Sequence, residues 1–304
     1  MISGFEGLSP VGVTKQAVKE FMDDDMNTHA AALTYRFLLA IFPFLIFILT
    51  LLGAFNMEEF FDSLLNEARQ HLSPELYTQF ENILIQVESG ANGGLLSFGL
   101  LLAIWSAAGG VRSVIHALNI AYDVEEARSL WKKYLVSVLF TIGLAAIFLA
   151  ALALMFVGPQ TVQWFADQIG LGTVFVNVWT LLRIPVAIVL MILAVALIYY
   201  FFPNVDQPFR IVSPGSVLAV LGWVIATLGF SFYISNFGNY NATYGSLAGV
   251  IILLLYFFIS SAVLLFGAEV NAVIFKAHPE TDKRNIEHDA VAETRKEARS
   301  DSGI

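Results

Sequence analysis

Two apolar runs near the end of the chain, Val217 to Ile234 and Leu247 to Ala268, leave it few ways to fold. Each is long enough to cross a bilayer core, which takes about 20 residues of helix. Between them lies a short turn rich in Asn and Gly and free of charge. Lipid offers no partner to a backbone N–H or C=O, so such runs must satisfy themselves as helices. The whole chain follows suit. It is 57% hydrophobic and only 13% charged, where soluble domains carry about one quarter charged residues.

Hydropathy and helix-terminus signals divide the chain into three parts. Residues 1–26 place Val11, Val13, Ala17, Val18, Phe21 and Met22 at near-helical spacing, with Lys15, Lys19 and Glu20 between them. This pattern predicts either an amphipathic helix at the membrane surface or a partly ordered tail. Asn27 or Thr28 is the expected cap of the next helix. Residues 27–275 read as an all-α bundle of six transmembrane helices, with spans near 33–55, 95–118, 134–157, 181–202, 217–234 and 247–268. The first run follows Asp23-Asp24-Asp25 and is too long for the apolar core of a signal peptide, so it too counts as a span. The loop 56–94 carries seven carboxylates against one cation and contains two short amphipathic helices, the second opened by Ser73-Pro74-Glu75. Residues 276–304 form a polar tail.

Orientation follows from Lys and Arg alone. Alternating spans put fourteen of the sixteen on one side, with only Arg69 and Arg183 on the other. Both termini are therefore expected in the cytoplasm of a bacterial cell, with the 56–94 insert facing outward from the inner membrane.

Several residues stand out against this apolar background. Pro43 and Pro185 each interrupt a span and remove a backbone hydrogen bond there. Arg183, at the outer edge of span 4, is a candidate contact for a lipid phosphate, or else snorkels to the headgroups. Glu269 lies in the closing turns of span 6, followed by Asn271. A carboxylate at that depth needs a partner, and Arg36 and Arg112 lie on the same side of the bilayer. These four residues are the candidates for an ion pair or a gate. Gly245 and Gly249 form a GxxxG pair suited to close helix packing. Asn236, Tyr240, Asn241 and Tyr244, in the turn before span 6, are candidate substrate-binding residues.

Other functions lack residues. A net charge of −9 opposes nucleic-acid binding. Without cysteine there is no disulfide or thiolate chemistry. The five histidines show no metal-ligand spacing, and no P-loop, GxGxxG or GxSxG occurs. No cofactor, metal or catalytic residue is therefore expected, and no enzyme activity.

AALTYRFLLAIFPFLIF in span 1, LLAIWSAAGGVRSVIHALNIAYDV in span 2, YYFFPN through PGS, and then NYNATYGSLAGVIILLLYFFISSAVLLFGAEVNA resemble the YihY/BrkB family of bacterial inner-membrane proteins. The resemblance covers about residues 25–275 and implies a six-helix integral membrane protein. Members of that family carry the name ribonuclease BN, for which this sequence offers neither a metal-ligand cluster nor a basic groove. Arg36 stands where relatives often carry an aromatic or small polar residue. The expected function is a transporter or permease for a lipid, glycolipid, small solute or ion. The alternative is a membrane scaffold for other envelope proteins.

Sidedness is testable because the chain has no cysteine of its own. A single cysteine at Glu75 should react with an impermeant thiol reagent in intact spheroplasts, and one at Asn285 should not. Equal labelling would overturn the orientation.

Overall fold

The computed structural model describes residues 9–54, 93–156, 172–208, 212–236 and 248–277, with isolated positions 65, 78, 81 and 162. Every regular element among the described residues is an α-helix: α1 (Pro10–Asp23), α2 (Met26–Ala54), α3 (Gly93–Ala121), α4 (Leu130–Phe156), α5 (Gly172–Phe201), α6 (Pro214–Asn236) and α7 (Ala248–Lys276). Five segments, in α3 to α7, are long and apolar enough to cross a membrane. The sixth expected span, 33–55, falls on α2, whose side chains beyond residue 44 lie outside the described residues. The 56–94 insert and the 276–304 tail lie almost wholly outside them too.

Helix ends differ from the expected boundaries because the apolar stretches themselves run further, from Phe175 in α5 and to Lys276 in α7. α5 begins at Gly172 rather than 181, and α7 continues to Lys276 rather than 268. α2 starts at Met26, so neither Asn27 nor Thr28 caps it. Instead Asp25, in the left-handed region at φ 52°, turns the chain, and its carbonyl accepts from Thr28 N–H at 2.9 Å. Pro43 and Pro185 sit inside continuous helices.

The chain divides into two compact units. The first comprises Met1–Ala31, Val114–Arg128 and Leu144–Ile304; the second comprises Ala32–Ser113 and Ser129–Gly143. In the first, α6 and α7 form the central pair, with α5 against α6 and α1 against α7. α1 is capped by Ser9, whose Oγ accepts from Gly12 N–H at 3.0 Å, and opens on Pro10. Its apolar face was expected to meet lipid. Instead Val13 and Ala17 are buried against Val270, Val273 and Ile274, and Phe21 meets Phe266 edge-on at 6.1 Å. Val11, Val18 and Met22 remain exposed on the rest of the helix.

The α6–α7 crossing depends on two glycines. A Cβ on Gly215 would collide with the Gly267 carbonyl oxygen and lie 2.6 Å from Asn271 Cγ. One on Gly267 would collide with the Tyr199 hydroxyl and lie 2.7 Å from the Gly215 carbonyl oxygen. Backbones in this contact exchange dispersion energy directly, the main source of helix association in lipid. Polar side chains add cross-links: Tyr199 OH donates to Leu264 O at 2.5 Å, Trp223 Nε1 donates to Ser260 Oγ at 3.2 Å, and Thr227 and Tyr256 share a hydrogen bond of 3.2 Å. The expected GxxxG pair does not supply this contact. A Cβ on Gly249 meets nothing within 4 Å, and Gly245 lies outside the described residues.

Gly267→Ala should therefore destabilise the detergent-solubilised protein by about 1–3 kcal/mol, as overpacking does. Gly249→Ala should change stability by no more than about 0.5 kcal/mol. Thermal unfolding followed by circular dichroism compares the two, and equal effects would contradict the crossing described.

Candidate functional site

In the first unit, acids gather where α1 meets the end of α7. Glu269 is fully buried, and neither carboxylate oxygen has a hydrogen-bond partner. Asp24, at the C-cap of α1, lies within hydrogen-bonding reach of Glu269. That bond forms only when one of the two carboxyls carries a proton, because two carboxylates have no donor between them. Asp24 Oδ2 is likewise buried without a partner. The charges acting on Glu269 are Asp24, Glu20, Asp123 and Lys276. Lys276, seven residues on and thus on the same face of α7, is the one cation among them, and it forms an ion pair with Asp123. Burial, reinforced by Asp123, pushes the Asp24 carboxyl above its ordinary range, while Lys276 works the other way.

Arg36 and Arg112, the partners expected for Glu269, are engaged by groups of their own unit. Both belong to the second unit. Arg36 Nη1 donates to the Gly109 carbonyl at 3.5 Å, and Arg112 Nη1 donates to Ser137 Oγ at 3.3 Å. The Arg112 guanidinium also lies 4.4 Å from the Tyr134 ring centre and 5.7 Å from that of Trp105. Cation–π contacts of this kind are worth about 0.5–1 kcal/mol at exposed sites. Among the described residues, no carboxylate pairs with either arginine.

Asn271, expected beside a gate, instead closes the start of α6. Its Oδ1 accepts from Gly215 N–H at 2.9 Å, and its Nδ2 donates to Ser213 Oγ at 2.9 Å. Ser213 and Ser216 complete the cap, each side-chain oxygen accepting from the other's backbone N–H at 3.1 Å. Arg183 lies eleven residues into α5, about 16 Å from its start at 1.5 Å per residue, and not in the first turns. Its Nε is buried without a partner. Tyr240, Asn241 and Tyr244, and the side chain of Asn236, lie outside the described residues.

Sequence reasoning missed three groupings. In the sequence Asp24 is one of an acidic run, and its pairing with Glu269 depends on α1 docking. Arg128 Nη2 donates to the carbonyls of Phe201, Phe202 and Pro203 at 3.0–3.1 Å, closing the C-terminus of α5. Asn119 supports the same corner, its Oδ1 accepting from Asn204 N–H at 2.8 Å. The His29 and His116 rings, far apart in sequence, meet edge-on at 5.6 Å. Among the described residues no group of three or more His, Asp or Glu is arranged to hold a metal.

Comparison with known proteins follows the same residues. Residues 17–292 match the family described as virulence factor BrkB. A putative ribonuclease-like protein, YfkH, of Bacillus subtilis is 37% identical over 262 residues, covering 86% of this chain and 94% of that protein. A UPF0761 membrane protein of Xanthomonas campestris is 28% identical over 272 residues, covering 86% of this chain and 61% of that protein. One from Nitrosospira multiformis is also 28% identical, with 62% of its length covered. The chain thus spans about three fifths of these two UPF0761 relatives. No solved structure matches.

The Asp24 environment sets a pH dependence. A carboxyl raised in the folded state contributes stability fully present below its ordinary value of 3.8 and lost as pH rises through the raised one. Asp24→Asn cannot ionise, so it should raise the unfolding temperature at pH 7 by about 1–3 °C. The gap should close towards pH 4. A gap that widens on acidification would contradict this reading.

Proposed function

We propose a proton-linked permease role for the chain, which belongs to the virulence factor BrkB family and is an integral membrane protein. The observation that carries it is Glu269: wholly buried, both oxygens unpartnered, in the last membrane helix and beside a second acid. Leaving a buried carboxylate without a donor costs several kcal/mol, which a static support gains nothing from. Intramembrane acids of this kind serve as proton relays in pumps and transporters. On this reading Glu269 takes and releases a proton, and Asp24 is its neighbour in the relay.

The cargo we propose is a lipid or glycolipid of the bacterial inner membrane, with a small solute or ion as the alternative. Arg183 is kept as a contact for a lipid phosphate, since its Nε has no protein partner. The scaffold reading draws on the acidic insert and the polar tail. The ribonuclease-like name of the Bacillus relative is not carried over, because a net charge of −9 opposes RNA binding. No enzyme activity or cofactor is proposed.

Proteoliposomes containing a trace of fluorescent phosphatidylglycerol test the proposal. An impermeant reductant should reach well over the outer-leaflet half of the label, at a rate that responds to an imposed pH gradient. Glu269→Gln should remove that response. A pH-sensitive dye in the lumen reads proton entry in the same vesicles and catches a small-solute or ion cycle. If neither lipid nor protons move faster than in protein-free vesicles, the permease reading falls and the scaffold reading takes its place.

A further inference from the structure

Two guanidinium groups from different helices face one notch in the second unit. A Cβ placed on Gly109 of α3 would lie 3.6 Å from Arg36 Nη1 of α2 and 3.6 Å from Arg112 Nη2. Both guanidiniums thus border the same stretch of Gly109 backbone, each at van der Waals distance from the missing side chain. Like charges facing one notch repel, and the described residues bring no carboxylate to relieve them. The hydrogen bonds formed are few and long, one from each Nη1, at 3.5 and 3.3 Å. Each guanidinium has five N–H donors, so most remain to be satisfied.

The notch is built rather than incidental. Ser137, fully buried, accepts from Arg112 and passes its own O–H to the Tyr134 carbonyl at 2.8 Å. Tyr134 and Trp105, stacked on each other at 5.8 Å, flank the guanidinium. Contact with ring faces fixes the guanidinium plane and leaves its edge, the part that binds oxyanions in pairs, available. Gly110, next to the notch, packs tightly on Phe37, which fixes α2 against α3 at this level: a Cβ there would lie 3.2 Å from that ring.

What surrounds the arginines indicates the kind of anion. Phe98, Leu101 and Trp105 are exposed at helical spacing along the face of α3 that leads to Arg112. Trp131 and Lys132, both exposed at the start of α4, are residue types of the headgroup level. A basic notch heading an apolar stripe fits an amphiphile better than a free ion.

We propose that Arg36 and Arg112, across the Gly109 notch, bind a phosphate group, and that this phosphate is the headgroup of an anionic glycerophospholipid whose chain lies along Phe98, Leu101 and Trp105. The site deepens the permease reading only by naming a class of cargo, and its test reads binding alone.

The full chain in detergent, offered phosphatidylglycerol and phosphatidylcholine of the same chain length, is examined by native mass spectrometry. The parent should retain phosphatidylglycerol in preference. Arg36→Ala/Arg112→Ala should lower that retention roughly tenfold or more while leaving phosphatidylcholine unchanged. Arg112→Lys should also lose retention, because an ammonium cannot reproduce the fork. Gly109→Ala puts a methyl in ordinary contact with both guanidiniums, so it should lower retention with both charges kept and the fold intact. Protection of the parent from heat by inorganic phosphate, absent in the double variant and without phosphatidylglycerol preference, would keep the phosphate site but assign it a soluble ligand. Equal phosphatidylglycerol retention by parent and double variant, or equal loss of both lipids, would overturn the site.

Discussion

The contact between the backbones of Gly215 and Gly267 holds the first unit in register. Because no side chain separates α6 from α7 there, the N-terminus of α6 comes within reach of Asn271, one turn on, and is capped from outside its own helix. The same closeness brings Tyr199 of α5 to the Leu264 carbonyl. With one side of α7 occupied in this way, its other side, Val270, Val273 and Ile274, is left to α1. Glu269 lies between these two commitments and is sealed from solvent by them. The buried acid is thus a consequence of close helix packing, not of its own favourable contacts.

Much of this was legible in the sequence, for one reason. Lipid tolerates only long apolar helices, so hydropathy finds α3 to α7 with little help from tertiary context. Helix ends were less legible, because α5 and α7 carry apolar residues past the expected boundaries, so hydropathy marks no sharp stop there. The fate of α1 was hidden as well. Val13, Ala17 and Phe21 make the same amphipathic pattern whether the face meets lipid or another helix. Nor does span counting show which charged groups meet. It gave Arg36, Arg112 and Glu269 a common side of the membrane, and the hydrogen bonds then join the arginines to Gly109 and Ser137. Asn271 read as functional because polar residues in membrane helices often are. Its role as a cap depends on a glycine crossing fifty-six residues earlier in the chain.

The two units treat charge in opposite ways. In the first, four acids surround a single lysine, and that lysine is already bound to Asp123. In the second, two arginines face one glycine with no acid among the described residues. Neither arrangement is what stability alone would select. Arg128 shows the contrast: its guanidinium closes three carbonyls at the end of α5 and contacts Glu126 at 3.7 Å. That is a cation whose partners fix a corner of the fold.

An Arg–Glu bond at Glu269 would have done for α7 what Arg128 does for α5. It would have neutralised both charges and tied two helices together, and breaking it would cost about 3–5 kcal/mol. A carboxylate held in that way has no reason to exchange protons, and an arginine held in that way has few donors left for a phosphate. Within its own unit neither group is held by an opposite charge among the described residues. Glu269 has another acid within hydrogen-bonding reach, an arrangement relieved by a proton and not by a fixed cation. Arg36 and Arg112 have each other across a glycine, an arrangement relieved by an anion. An acid beside an acid and two cations beside a glycine each lack a bonded opposite charge within their own unit, the one relieved by a proton and the other by an anion.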